Sequence, residues 1–126
     1  MTVTLYHNPK CSTSRKALVL LRERGIEPTV VEYLKTGWDA ETLNRLARET
    51  GGGLKGLLRK KETKAAELLA ADADDATVRA AMIENPVLVE RPIVETPKGA
   101  AIGRPVEAVL GVLFGLLVFL ASASCA

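Results

Sequence analysis

The stretch that decides the fold is Val3-Thr4-Leu5-Tyr6-His7-Asn8-Pro9-Lys10-Cys11-Ser12-Thr13-Ser14, together with the residues that follow it. Apolar and polar residues alternate at its start, which predicts a short strand that ends before the proline. Residues 15–24 have the composition of a helix, and Gly25 is placed to end it. A second strand is predicted over residues 28–34. This order predicts a βαβ unit with Cys11 in the loop before its helix.

The middle of the chain is predicted to be helical. Asp39 can cap a helix that ends at the glycine run 51–53, and a second short helix follows that run. A third helix begins after either Asp74 or Asp75 and ends before the next proline. No strand pattern occurs between Tyr33 and Val87, so a helical insertion interrupts the α/β domain.

The last third returns to strand patterns. Two short strands are predicted over residues 87–89 and 93–95. A turn over residues 96–99 separates the second of them from residues 100–102. Pro105 has the position favoured in the first turn of a helix, so a final helix is expected from there.

The composition is that of one globular domain and excludes several classes of protein. The 126 residues suffice for one domain but not for two of ordinary size. A net charge of +2 and an aromatic content of 4% argue against a nucleic-acid binder. Cys11, Cys125 and His7 are too few for a disulfide framework or a zinc site, so no metal is expected. The first residues do not show the pattern of a secretory signal peptide, which is a positively charged segment followed by an apolar one, so a cytoplasmic location is expected.

Residues 114–126 are interpreted as an atypical apolar tail after a domain over residues 1–113. No charged residue occurs from Ala108 to Ala126, and the apolar core from Leu110 to Leu120 has the length of a buried helix. A helix that packs on the core is favoured over contact with a membrane. A tail anchor and a C-terminus altered by a shifted reading frame stay open, and Cys125 is treated as incidental.

Cys11 has the surroundings of a nucleophile. It lies where a strand turns into a helix, and the first N–H groups of a helix lower a thiol pKa and attract anions. Lys10, Arg15 and Lys16 add positive charge. The alternative is a buried inert cysteine, but cores rarely surround a thiol with basic and hydroxyl residues. His7 is open to two interpretations, a loop histidine or a residue that tunes the thiol.

Four separated motifs resemble those of the glutaredoxin-dependent arsenate reductases, and the likeness covers about residues 2 to 113 in the same order. The motifs are Tyr6-His7-Asn8-Pro9-Lys10-Cys11-Ser12-Thr13-Ser14-Arg15, Leu57-Leu58-Arg59-Lys60-Lys61, Glu90-Arg91-Pro92-Ile93-Val94-Glu95-Thr96-Pro97 and Ile102-Gly103-Arg104-Pro105. The likeness also includes Tyr33-Leu34. The resemblance implies a thioredoxin-like α/β fold. That fold has a small mixed sheet, flanking helices and a helical insertion between the second and third strands.

The resemblance also implies how the substrate is held. Cys11 corresponds to the nucleophile, and Arg59, Arg91 and Arg104 correspond to the arginines that bind the oxyanion and the covalent arsenic intermediate. The bond between Arg91 and Pro92 is expected to be cis, which is feasible because the second residue is proline. Guanidinium groups suit this task because they bind the oxygens of a tetrahedral anion in bidentate fashion.

By the same resemblance, His7 and Ser14 are supporting residues of the loop. Reduction of As(V) to As(III) takes two electrons, and Ser14 stands where a second loop cysteine would resolve the first. The second thiol must therefore come from outside. The resemblance implies glutathione as that thiol and glutaredoxin as the protein that resolves the mixed disulfide, with no cofactor bound.

Two other functions stay open. The first is a thiol-dependent oxidoreductase of the same fold with a different substrate, either another small oxyanion or an oxidised thiol. The second is a redox-linked regulatory protein, because related regulators bind RNA polymerase and use a Cys-x-x-Cys switch. Ser14 prevents that disulfide here, so the reductase is favoured.

Overall fold

A computed structural model describes residues 2–113, and four short strands form one sheet in it. The strands are β1 (Thr4–Tyr6), β2 (Thr29–Val31), β3 (Ile93–Thr96) and β4 (Gly99–Ile102), in the spatial order β2-β1-β3-β4. β1 pairs with β2 in parallel, with Leu5 opposite Val30, and pairs with β3 in antiparallel, with Leu5 opposite Val94. β3 and β4 form an antiparallel hairpin. The predicted small mixed sheet is therefore confirmed.

Helices occupy the connections. They are α1 (Ser12–Glu23), α2 (Tyr33–Thr36), α3 (Ala40–Thr50), α4 (Gly53–Gly56), α5 (Thr63–Ala70) and α6 (Asp75–Glu84), with 3₁₀ turns at Pro86–Leu88 and Val106–Val109. α1 joins the parallel strands β1 and β2, which confirms the βαβ unit. The helices α2 to α6 all lie between β2 and β3, which confirms the helical insertion. Within residues 2–113, no helix is both long and apolar enough to span a membrane.

The two faces of the sheet bury two separate apolar clusters. Side chains alternate between the faces of a strand, so Leu5 and Tyr6 point to opposite sides. Leu5 packs with Leu21 of α1 and with Val109 and Leu113 near the end of the described chain. Tyr6 packs in the larger cluster, which the helical insertion covers. Each fully buried leucine contributes about 1.5–3 kcal/mol relative to an exposed one.

Local capping explains where the helices of the insertion begin. The Asp39 carboxylate accepts a hydrogen bond from the backbone N–H of Thr42 at 2.7 Å, at the start of α3. The Asp74 carboxylate accepts one from the backbone N–H of Thr77 at 2.9 Å, so Asp74 rather than Asp75 caps α6. Gly51 ends α3 with a φ of 83°, a left-handed conformation that glycine adopts without strain. Both predicted caps are confirmed.

Several predicted boundaries were wrong because tertiary packing overrides short apolar patterns. Residues 87–89 are not a strand, since Pro86–Leu88 is a 3₁₀ turn and Val89 makes only an isolated bridge to Leu58. The second strand ends at Val31, and Tyr33 instead begins α2. In residues 87–89 the buried side chains are Leu88 and Val89, and a buried turn and a short strand have the same apolar pattern.

The helix boundaries needed three further corrections. α1 begins at Ser12 rather than residue 15, and α5 had no counterpart among the predicted helices. Pro105 lies before the first turn of the last helical segment, which starts as a 3₁₀ turn at Val106 and becomes α-helical over residues 110–113. The proposed tail over residues 114–126, including Cys125, lies outside the described residues.

A polar network joins α3 to the sheet. Tyr6 donates its hydroxyl hydrogen to Glu95 at 2.9 Å, and Arg45 donates to both oxygens of the same carboxylate at 2.7 and 3.2 Å. Glu95, followed by burial, raises the pKa of Glu49 to about 7. Burial alone would raise the pKa of Glu95, but hydrogen bonds from Arg45, Glu49 and Tyr6 lower it to about 2. A proton shared by the two carboxylates accounts for both directions.

Candidate active site

The loop after β1 places Cys11 at the start of α1. Cys11 has extended backbone angles and is the N-cap residue of that helix. Its N–H donates to the carbonyl of Asn8 at 2.9 Å, and its carbonyl accepts from the N–H of Arg15 at 3.0 Å. The Asn8 side chain accepts from the N–H of Lys10 at 3.0 Å, which closes the loop. The thiol is half-buried and faces the unpaired N–H groups of the first helical turn.

These surroundings favour the thiolate. Burial alone would raise the pKa of Cys11, but the backbone N–H of Ser14, the guanidinium of Arg91 and the backbone N–H of Thr13 outweigh it, so the pKa is lowered. Arg104 Nη2 also donates to the sulfur at 3.4 Å. A thiolate is the reactive form of cysteine, so the site is built for nucleophilic attack.

The structure brings two of the predicted arginines, Arg59 and Arg104, together around the Glu90 carboxylate, and Arg91 follows Glu90 in the chain. Glu90 Oε1 lies 3.1 Å from Arg104 Nε and 3.5 Å from Arg59 Nη1. Arg104 Nε also donates to the carbonyl of Arg91 at 2.8 Å. Arg104 donates to the sulfur of Cys11, Arg91 helps to lower the pKa of that thiol, and Arg59 joins the group through Glu90. The convergence of the arginines is therefore a geometric finding, while their roles in binding stay predictions.

Both arginines that precede a proline lie at a cis peptide bond. The bond between Arg91 and Pro92 is cis, as expected, and so is the bond between Arg104 and Pro105, which was not expected. Gly103 lies between them in the fold, where an added Cβ would come within 2.8 Å of the Pro92 ring. The two segments therefore pack closely beside the thiol, and glycine permits this approach.

Several buried donors of the site have no hydrogen-bond partner among the described residues. They are Nε of Arg59, Nε and Nη1 of Arg91, and the hydroxyl of Tyr33. Unpaired buried donors are rare, since each costs about 1–3 kcal/mol of stability. Donors that cluster in this way beside a thiolate are suited to the oxygens of an anion.

His7 and Ser14 form a buried pair beneath the thiol loop. His7 Nδ1 lies 2.6 Å from Ser14 Oγ, and Ser14 Oγ also accepts the backbone N–H of Asn8 at 3.1 Å. Burial lowers the pKa of His7, which keeps the imidazole neutral. The pair ties the start of the loop at His7 and Asn8 to Ser14, whose backbone N–H is one of the groups that lower the pKa of Cys11. The supporting role of both residues stays a prediction.

Two residues of the site were not identified from the sequence. Glu90 directly precedes Arg91 in a quoted motif, and an acidic residue beside a predicted anion-binding arginine was the available signal. Tyr33 follows the end of a strand whose parallel neighbour leads into the Cys11 loop. Because the carboxyl ends of parallel strands meet at one edge of a sheet, the position of Tyr33 just after its strand was the available signal that it lies near the Cys11 loop.

A cysteine with a lowered pKa at the start of a helix, beside a four-stranded mixed sheet, is the arrangement of the thiol enzymes with the thioredoxin-like fold, and it places this chain in that class. More narrowly, the chain belongs to the ArsC family, whose model matches residues 6–112. The expected family and fold are thereby confirmed.

Three similar proteins illustrate the family. An arsenate reductase of Rhizobium meliloti (strain 1021) is 44% identical over 115 residues, 90% of this chain and 82% of that protein. YfgD of Escherichia coli (strain K12), described as uncharacterized, is 47% identical over 115 residues, 88% of this chain and 96% of YfgD. The structure of an arsenate reductase from Vibrio cholerae matches with a TM-score of 0.82 and 45% identity, covering 90% of this chain and 98% of that one.

Proposed function

We propose that this chain is an arsenate reductase that uses Cys11 as its nucleophile and glutathione with glutaredoxin as its source of electrons. The observation that carries the proposal is the contact of the Cys11 thiol with Arg104 at 3.4 Å, together with the buried arginine N–H groups that have no hydrogen-bond partner within residues 2–113. Relatives of similar length that are named arsenate reductases support the choice of substrate. The reducing cytoplasm is the expected location, because both electron donors are thiols.

The chemistry balances with one protein thiol and one external thiol. The thiolate of Cys11 attacks arsenic, and an arsenate oxygen leaves as water after protonation. The guanidinium groups of Arg91 and Arg104 stabilise the charge on the remaining oxygens. The thiol of glutathione then adds to arsenic. Both sulfur–arsenic bonds break as the two sulfurs form a disulfide between Cys11 and glutathione, and the electron pair stays on arsenic, which leaves as arsenite. Glutaredoxin exchanges that disulfide and returns the thiolate.

A second candidate function is a thiol-dependent oxidoreductase with another substrate. Two observations favour it. YfgD, which is 47% identical and almost fully covered by the match, is a relative whose name carries no activity. In addition, the Glu90 carboxylate occupies part of the arginine cluster, which reduces the positive charge available to a dianion. Both candidates use the same thiolate and differ in what it attacks.

The test is a coupled assay with arsenate, glutathione, glutaredoxin, glutathione reductase and NADPH. NADPH loss is expected to depend on arsenate and to disappear in the Cys11→Ser variant. Cys125→Ser is the matched control and is expected to keep full turnover. If Cys11→Ser retains turnover while Cys125→Ser loses it, the assigned nucleophile is wrong. If the folded chain shows a reactive Cys11 but no arsenate-dependent turnover, the second candidate takes precedence.

A further inference from the structure

Tyr33 is buried in a way that packing alone does not explain. Its side chain is 0% exposed, and its ring stacks on Trp38 with the ring centroids 5.0 Å apart. The hydroxyl has no hydrogen-bond partner among the described residues. A phenylalanine would fill the same space without burying an unpaired polar group. The hydroxyl therefore lowers the stability of the free protein without a compensating contact.

The second buried tyrosine provides an internal comparison. Tyr6 packs on the same Trp38 ring, with the centroids 5.3 Å apart. Its hydroxyl donates to Glu95 at 2.9 Å and accepts from Arg45 at 3.3 Å. Among residues 2–113, the fold thus provides hydrogen-bond partners for one tyrosine hydroxyl and none for the other. This contrast indicates that the partner of Tyr33 comes from outside the described chain.

Tyr33 lies at the edge of the sheet that carries the Cys11 loop. The carbonyl of Val31, two residues before it, accepts a hydrogen bond from the N–H of His7 at 2.8 Å, so the start of α2 lies beside that loop. Burial raises the pKa of Tyr33 to about 12, and the charged groups that act on its hydroxyl are Arg91, Cys11, Arg59 and Glu90. The hydroxyl therefore keeps its proton at neutral pH and is available as a donor. The other buried donors without partners belong to Arg59 and Arg91, in this same group.

We propose that Tyr33 is a further substrate-binding residue, whose hydroxyl donates a hydrogen bond to an oxygen of the oxyanion held by Arg59 and Arg91 beside Cys11. This inference rests on the proposed function as far as the anion is arsenate, but it applies to any tetrahedral oxyanion that enters the site. Unlike the arginines, the phenol adds a donor without adding charge. The phenol hydroxyl would donate a hydrogen bond to an anion oxygen on the buried side of the site, where burial of another cation would be costly.

The experiment compares Tyr33→Phe with Tyr6→Phe in the full chain and measures two quantities. The first is the thermal midpoint of unfolding without any anion. The second is the arsenate or phosphate concentration that halves the rate of Cys11 alkylation by iodoacetamide. The rate for each variant is normalised to its own rate without anion. Peptide mapping distinguishes alkylation of Cys11 from alkylation of Cys125. Alkylation does not require turnover, so it tests Tyr33 even if the chain fails to reduce arsenate.

Tyr33→Phe is expected to unfold at the same or a higher temperature than the wild type, while its half-protecting anion concentration rises about ten- to a hundredfold. Tyr6→Phe is expected to do the reverse, with a lower unfolding temperature and unchanged protection. A structural role for the Tyr33 hydroxyl predicts a lower unfolding temperature without a change in protection, and that result overturns the proposal. Failure of both anions to protect Cys11 in the wild type also overturns it.

Discussion

The Glu90 carboxylate is the group whose removal tests the electrostatics of the site most sharply. One of its oxygens lies 3.1 Å from Arg104 and 3.5 Å from Arg59, and its side chain is 21% exposed. It therefore competes with any bound anion for the same two guanidinium groups. In Glu90→Gln an oxygen remains to accept hydrogen bonds from the arginines, but the negative charge is lost. We expect this variant to bind arsenate more tightly than the wild type.

The magnitude follows from distance and screening. An anion on the far side of a guanidinium lies about 8 Å from Glu90, the width of that group plus two hydrogen bonds. At an effective dielectric constant of about 20, this repulsion is about 2 kcal/mol per unit charge. Screening at a side chain that is one-fifth exposed reduces it to about 1 kcal/mol. The KM for arsenate should therefore fall about fivefold for a monoanion and about thirtyfold for a dianion.

The assay measures KM in the coupled system at low and at high salt, and it measures anion protection of Cys11 against alkylation in parallel. Glu62→Gln is the matched control, because Glu62 lies 3.6 Å from Arg59 on a more exposed side chain. Its effect is expected to stay below about twofold, as for an exposed ion pair. The effect of Glu90→Gln should shrink in high salt. An unchanged or raised KM for Glu90→Gln would refute competition and show that Glu90 mainly holds the arginines in place.

Three further outcomes follow from the same structure. Ser14→Ala should lower the free energy of unfolding in urea by about 2–4 kcal/mol, because it leaves two buried hydrogen-bonding groups without their partner. The Glu49 pKa of about 7 lies above its ordinary 4.5, so the folded state binds the extra proton and stability should fall as pH rises from 4.5 to 7. The Glu95 pKa of about 2 lies below its ordinary value, so stability should also fall as pH drops below 4.5. Urea midpoints measured from pH 2 to pH 7 should show both losses in the wild type, and in Glu49→Gln the loss between pH 4.5 and 7 should disappear. Arg91→Gln should raise the pKa of Cys11, measured as the pH dependence of its alkylation rate, and an unchanged profile would remove Arg91 from the thiolate site.

The parts of the fold that local chemistry determines were predictable from the sequence. The alternation before His7, the caps at Asp39 and Asp74 and the stop at Gly51 depend on residues within one or two turns of each other. The position of Cys11 at a helix start followed from the same local order. Arg59, Arg91 and Arg104 were identified only by resemblance to a family, because nothing local indicates that residues so distant in sequence converge.

The parts that depend on distant contacts were not predictable. Residues 87–89 are apolar enough for a strand, but their hydrogen bonds go to residues just before them and to the segment that includes Leu58. Tyr33 has a side chain typical of strands, but its carbonyl accepts from the N–H of Gly37 in a helical turn and its ring stacks on Trp38. The position of Glu90 beside Arg91 was visible in the sequence, but its ion pairs with Arg59 and Arg104 join distant segments and were not.

The central claim is that Cys11 is the one thiol of this protein that takes part in arsenate reduction and that the second thiol is external, and one measurement tests it directly. The full chain is incubated with arsenate and glutathione without glutaredoxin, and both the arsenite formed and the modified peptide are quantified. The account predicts one equivalent of arsenite per chain and glutathione attached to Cys11, with neither product when arsenate is omitted. Arsenite formed without modification of Cys11, or a disulfide between Cys11 and Cys125 in place of the glutathione adduct, would contradict it.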